Sequence, residues 1–130
     1  MTRIHLGANG ENIVLLTLAE EKLLNRIMIL IEHYSSDENF GMEKLCLEAG
    51  LSKSSLNRHI RALTSKSPNA LLKDFRMNKS LKLLKSGDSI SNVAYSAGFR
   101  SPSYFSKCFK EHYSISPSQY IEGLEAISSS

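Results

Sequence analysis

Cysteine occurs only twice and proline three times in the 130 residues, and no long apolar run is present. The longest such run, Ile27 to Ile31, is five residues, whereas a membrane-spanning helix needs about 20. The N-terminus also lacks the basic start and apolar run of a signal peptide, so the chain reads as soluble and cytoplasmic. Cys46 and Cys108 have no CxxC or Cys/His spacing and read as reduced thiols filling a core. GxSxG, phosphate-loop and HExxH motifs are missing, and His5, His33, His59 and His112 are scattered without metal-ligand spacing. No enzyme, metal site or cofactor is expected. Acidic residues are scarce from Lys53 to Lys110, where Asp74 and Asp88 face twelve Lys or Arg. Residues 1–40 have the opposite bias, with six acids and three basic residues. A charge run is often only a solvated helix face, but this one covers several helices, which favours phosphate neutralisation.

The chain carries one pattern twice, about 49 residues apart. Met42, Leu45, Cys46 and Ala49 stand at i, i+3, i+4, i+7 before Gly50 and Leu51; Ile90, Val93, Ala94 and Ala97 do the same before Gly98 and Phe99. Each set is one apolar helix face closed by glycine. Ser52, Ser54, Leu56 and Ile60 then recur as Ser101, Ser103, Phe105 and Phe109, and Ser65, Ser67 and Pro68 as Ser114, Ser116 and Pro117. The second copy has one extra turn residue, Arg100. Short helix, tight turn and second helix is the plan of a helix-turn-helix, in which the second helix lies in the major groove. The competing reading is a helical hairpin duplicated for packing alone.

Helix starts are well marked. Thr17 with Glu20 forms a capping box, and Leu23, Ile27, Leu30 and Tyr34 give an apolar face, predicting a helix over about 18–35. A bracing helix is expected over 42–49 and a recognition helix over 53–64, capped by Ser52. Every proline follows a serine, at Ser67–Pro68, Ser101–Pro102 and Ser116–Pro117. A serine cap with proline at the first helical position starts a helix because proline has no N–H to leave unpaired there. The three pairs predict a connector over 68–85, a second recognition helix over 102–113 and a closing helix over 117 to about 124. In the connector, Lys73, Arg76, Lys79, Lys82 and Lys85 are left for solvent or phosphate. Nothing alternates like a strand. The expected class is all-α, with about seven helices forming two helix-turn-helix subdomains joined by a long connector: 1–16 linker or disordered tail, 17–86 first subdomain with connector, 87–124 second subdomain, 125–130 tail.

The helical wheel of 53–64 turns Leu56, Ile60 and Leu63 inward and leaves Ser54, Asn57, Arg58 and Arg61 outward. Arginine forks onto guanine O6 and N7, and asparagine onto adenine N6 and N7, each contributing about 1–3 kcal/mol of discrimination. Arg58 and Asn57 are the leading base readers. Over 102–113, Phe105 and Phe109 point inward and Pro102, Ser103, Ser106, Lys107 and Lys110 are free to face DNA. Proline has no donor and serine reads bases weakly, so this half is expected to bind backbone more than sequence. Tyr104 reads equally as a base contact or a core aromatic. Ser52, Lys53, Arg100 and Ser101 lie at helix N-termini, where phosphate contacts form.

The stretch ISNVAYSAGFRSPSYFSKCFKEHYSISPSQY, Ile90 to Tyr120, resembles the signature region of the AraC/XylS family of bacterial transcription regulators. Its most specific elements are Val93–Ala94, Gly98–Phe99, Ser103 to Ser106, Phe109–Lys110, Ser116–Pro117 and Tyr120. The first copy matches the family's weaker half through Leu45, Ser52, Leu56, Arg58, Pro68, Arg76, Leu83 and Leu84. The resemblance implies a seven-helix DNA-binding domain entering successive major grooves. It also implies base contacts from Ser54, Asn57, Arg58, Pro102, Ser103, Tyr104 and Lys107, with Arg61 and Lys110 joining the backbone contacts. A connector of about 18 residues at about 1.5 Å each spans about 27 Å, and two helix widths supply the rest of the groove spacing of about 34 Å. The chain departs from the family at Ser65 and Ser114, where glycine is usual, at Cys46 and Ser80, where alanine is, and at Ile121, where arginine is common. The two serines are expected to adopt left-handed backbone at about 1 kcal/mol each.

The expected partners are double-stranded promoter DNA and, by resemblance, RNA polymerase, with activation favoured over repression. An N-terminal sensor or signalling domain is expected to lie outside this sequence, since the first 16 residues read as a linker. A small regulator complete in itself is the other possibility. The alternative function is a helical protein-interaction adaptor whose basic face binds an acidic partner. Salt-dependent, sequence-selective duplex binding separates the two.

Overall fold

The structure, a computed structural model, describes residues 2–6 and 13–129. Strands β1 (Thr2–Leu6) and β2 (Ile13–Thr17) precede helices α1 (Leu18–Tyr34), α2 (Met42–Ala49), α3 (Lys53–Thr64), α4 (Pro68–Lys85), α5 (Ile90–Ser96), α6 (Pro102–Tyr113) and α7 (Pro117–Ser129). From Leu18 onward the fold is the expected all-α arrangement of seven helices. The strands correct the expected linker. They pair antiparallel, with Thr2 opposite Thr17 and Leu6 opposite Ile13, and pack on α1. Ile4, Ile13 and Val14 suit a pleated surface, but the unbroken apolar run Ile13 to Leu16 has no alternation by which a strand would announce itself. The rest of the expected linker, residues 1 and 7–12, and residue 130 of the expected tail lie outside the described residues.

Caps set the helix ends. The Thr17 backbone N–H donates to Glu20 Oε1 at 3.1 Å, and the Glu20 N–H donates back to Thr17 Oγ1 at 3.1 Å. These bonds, the backbone one foremost, hold the Glu20 carboxyl below its ordinary pKa. Ser52, Ser67, Ser89, Ser101 and Ser116 each accept the N–H three residues on. Gln119 completes a second reciprocal box by accepting the Ser116 N–H at 2.8 Å. α3 and α6 both end on a left-handed serine, Ser65 at φ 63° and Ser114 at φ 69°, as expected where glycine is usual. Helix α7 runs five residues past the expected stop. Gly123 is tolerated within it.

The chain divides into two compact units. The first runs through Tyr34 and resumes from Phe40 to Leu72; the second holds Ser35–Asn39 and everything from Lys73. The division therefore falls inside α4, not at the expected residue 86, because the C-terminal part of α4 supplies Met77 and Leu84 to the second core. In the first unit α1 packs on α2 and α3, burying Leu24, Ile27, Ile31, Leu45, Leu56, Ile60 and Leu63. Arg26 Nη2 donates to the Glu48 carbonyl near the end of α2 at 2.8 Å. The second core gathers Val93, Ala94 and Ala97 of the α5 region with Phe99, Phe105, Cys108 and Phe109. Its rings form a chain: Phe99 to Phe105 at 5.1 Å, Phe105 to Phe109 at 5.6 Å and Phe109 to Tyr113 at 4.8 Å. Ser80, where the resemblance implies alanine, is buried, and its hydroxyl donates to the Met77 carbonyl at 2.6 Å.

Candidate nucleic-acid interface

In each unit the helix after the tight turn is amphipathic, with a fixed orientation. α3 buries Leu56, Ile60 and Leu63 completely or nearly so. The opposite side carries Ser54, Arg58 and Arg61, all exposed, and Asn57, half-buried. At about 100° per residue these four fall within roughly one quarter of the helix circumference. α6 buries Phe105, Cys108 and Phe109 and exposes Ser103, Lys107 and Lys110, with Ser106 half-buried beside them. Turns hold both orientations. Gly50, left-handed at φ 69°, sends its N–H back to the end of α2, and Gly98, at φ 93°, ends the α5 turn.

The polar atoms on these faces are partly committed. Arg61 Nε donates to Asn57 Oδ1 at 3.1 Å, which aligns the amide and leaves its two N–H donors and one oxygen lone pair for a base edge. Ser52 Oγ accepts the Ser55 N–H at 3.2 Å and lies 3.4 Å from Ser54 Oγ; Ser101 Oγ accepts the Tyr104 N–H at 3.1 Å. Each capping hydroxyl can still donate its own hydrogen. Lys53 and Arg100 are exposed beside these caps, and Pro102 is half-buried at the first position of α6.

Tyr104 is on the surface. The residue is 52% exposed, with its ring 6.3 Å from that of Phe99 between centroids. The adjacent Cys108 thiol raises the phenol pKa, so the group stays a protonated donor and acceptor at neutral pH.

Two expected solvent or phosphate residues on the connector are engaged elsewhere. Arg76 is half-buried; its Nε donates to the Ser35 carbonyl at 2.9 Å and its Nη2 to the Asp37 carbonyl at 2.8 Å. Burial, opposed by Asp37, lowers its pKa. Lys79 Nζ hydrogen-bonds Ser36 Oγ. No sequence signal separated these two from Lys82 and Lys85, which remain exposed, because the loop they hold is distant in sequence. Among the described residues no group of His, Cys, Asp and Glu is placed to hold a metal ion, and no helix is long and apolar enough to cross a membrane.

Comparison with known proteins places these features in a family. A family profile described as a helix-turn-helix domain matches residues 45–123. Histidine kinase P4 of Formosa agariphila is 34% identical over 102 residues, covering 78% of this chain and 7% of that protein. The HTH-type transcriptional activator RhaS of Mannheimia succiniciproducens is 34% identical over 99 residues, covering 75% of this chain and 36% of its own length. The chain thus spans little more than a third of these curated relatives at most. The crystal structure of the DNA-binding domain of AdpA in complex with a target DNA superposes with a TM-score of 0.73 at 30% identity, covering 80% of this chain and 93% of that one.

Proposed function

This chain belongs to the AraC-type helix-turn-helix family of DNA-binding transcription regulators, and from that premise we propose that it reads promoter DNA with both α3 and α6, each in a major groove. One observation carries this reading: two helices of the same length, capped the same way and ended by the same left-handed serine, each turn an exposed hydroxyl-and-cation face opposite a buried apolar one. In α3, Arg58 reads guanine and Asn57 adenine, with Ser54 at their side. In α6, Pro102, Ser103, Tyr104 and Lys107 approach the bases. Ser52, Lys53, Arg61, Arg100, Ser101 and Lys110 hold phosphates, aided by the helix N-termini. The likeness to a domain solved on its target DNA supports this assignment.

The domain serves as the output end of a longer signalling or sensing protein, acting in the cytoplasm and recruiting RNA polymerase. Support comes from the match to a small part of a histidine kinase and to a third of a transcriptional activator. The adaptor alternative has only the net basic stretch in its favour.

Selection of sites from a randomised duplex pool at near-physiological salt, with wild type beside Arg58→Ala, tests the reading. Two enriched half-sites about 10 base pairs apart, one of them relaxed by the substitution at a cost of about 1–3 kcal/mol, are expected. No enrichment, with retention only at low salt, refutes it in favour of the adaptor.

A further inference from the structure

On the outward face of α3 one side chain holds another. Arg61 Nε donates to Asn57 Oδ1 at 3.1 Å, across the i, i+4 spacing at which helical side chains meet. Arg61 is exposed and Asn57 half-buried, so the bond lies along the surface given above to base reading.

The chemistry of the pair leaves one arrangement. A guanidinium has donors and no acceptor, so only the amide oxygen can face it. The amide is planar, and its NH2 group must then point away from Arg61. Acceptor and donor therefore come in a fixed order, with the oxygen on the side of Arg61, towards the C-terminal end of α3. Nε is a single donor of the guanidinium, and the Nη groups stay available for phosphate. In α6 the same positions, at the offset of 49, hold Ser106 and Lys110; amide and guanidinium are replaced together.

Order matters because adenine is read through two atoms: N7 accepts from Nδ2, and N6 donates to Oδ1. An A·T pair and its reversal present these atoms in opposite order across the major groove. A free amide turns over and meets either order, whereas an amide held at its oxygen meets one.

We propose that Arg61 is a positioning residue that sets which strand's adenine Asn57 reads: by holding Oδ1, it admits one orientation of the A·T pair and shuts out the reversed one. The inference rests on the reading of Asn57 as a base contact. The gain is one of specificity, made by rejecting the wrong partner and not by adding a contact to the right one.

The test uses the full chain and the duplex enriched by the wild type, varied only at the base pair whose preference Asn57→Ala removes. The readout is the ratio of affinity for the enriched pair to affinity for the same pair reversed. A phosphate contact alone weakens binding to every sequence alike and leaves this ratio unchanged. Arg61→Met, a change at an exposed position, is expected to lower the ratio roughly three- to tenfold, the span of one net hydrogen bond, while the preference at the pair read by Arg58 is kept. Arg61→Lys has a single ammonium that cannot serve amide and phosphate together; it is expected to keep the salt dependence and lose the ratio. Added to Asn57→Ala, Arg61→Met is expected to alter no further base preference. An unchanged ratio in Arg61→Met overturns the inference and leaves the reading of Asn57 intact. A further change of preference in the double variant also overturns it, since Arg61 would then read a base itself. If Asn57→Ala removes no preference, or the preference it removes is for a G·C pair, the adenine reading fails and the inference fails with it.

Discussion

Substituting Gly98 by alanine should be among the most damaging single-methyl additions available to this chain. Two separate penalties act there. The backbone sits at φ 93°, in the left-handed region that costs an L-residue about 1–2 kcal/mol. The new Cβ would also stand 2.1 Å from the Ser35 carbonyl oxygen and 2.8 Å from Arg76 Nε. Relief requires the loop to move, which adds overpacking strain of about 1–3 kcal/mol and weakens the charge-assisted bond from Arg76 to Ser35, itself about 1.5–3 kcal/mol. The total is about 4 kcal/mol or more, a large share of the roughly 5–15 kcal/mol that holds a domain folded. Gly87 supplies the matched control, since it has nearly the same φ, 95°, but nothing within 4 Å of an added Cβ. Gly87→Ala should cost only the backbone penalty, about 1–2 kcal/mol. Urea unfolding followed by far-ultraviolet circular dichroism measures both. Equal losses for the two variants would refute the argument that the Ser35 carbonyl fills the space above Gly98.

Ser65→Gly and Ser114→Gly should each stabilise the protein by up to about 1 kcal/mol by relieving left-handed backbone in an L-residue, read as a rise in urea midpoint at constant slope. Burial, then Asp74 and Tyr120, raise the pKa of the Tyr113 phenol. The folded state therefore keeps this proton to higher pH than the unfolded chain. The resulting stability is full below the unfolded phenol value of about 10 and is lost as pH rises through the folded value. Tyr113→Phe should flatten the alkaline fall in stability, and an identical slope in wild type and variant would contradict this. Arg58→Lys should blur the half-site read by α3 while total binding changes little, and Lys107→Arg should sharpen the half-site read by α6; site selection with each variant shows whether the motifs shift that way.

Local rules made most of the fold legible in advance. Serine caps, serine–proline starts and glycine stops are short-range chemistry: α3, α4 and α6 begin where a serine places them, and α2 ends at Gly50. The inward and outward faces of α3 and α6 follow from the same periodicity. What escaped the sequence was long-range or lacked periodicity. The β1–β2 pairing joins the unbroken apolar run of β2 to a β1 whose alternation, Ile4 and Leu6 against Arg3 and His5, spans only five residues, and α7 continues through residues with no strong preference. Arg76 and Lys79 are cations like Lys82 and Lys85, and what sets them apart is the loop some 40 residues earlier that they bind. Asn57 is expected as a reader from the wheel, whereas the bond from Arg61 that aligns its amide carries no sequence signal.

The two copies have kept their framework and changed their faces. Capping serines, left-handed serines and the buried anchors recur at an offset of 49, as do the small exposed Ser54 and Ser103. At the same offset Asn57 becomes Ser106, Arg58 becomes Lys107 and Arg61 becomes Lys110. These three changes run in one direction, from a side chain that can pair two atoms of a base or phosphate at once to one that offers a single hydroxyl or a point charge. Packing does not explain this, because the positions lie on the outward side in both helices and the inward side is rebuilt separately, Leu56 and Ile60 against Phe105 and Phe109. Two planar forks fix a helix on particular base edges, whereas ammonium groups tolerate any sequence that presents phosphate at the right distance. Unequal faces on equal frameworks favour an asymmetric site, with α3 choosing the sequence and α6 adding affinity that falls with salt.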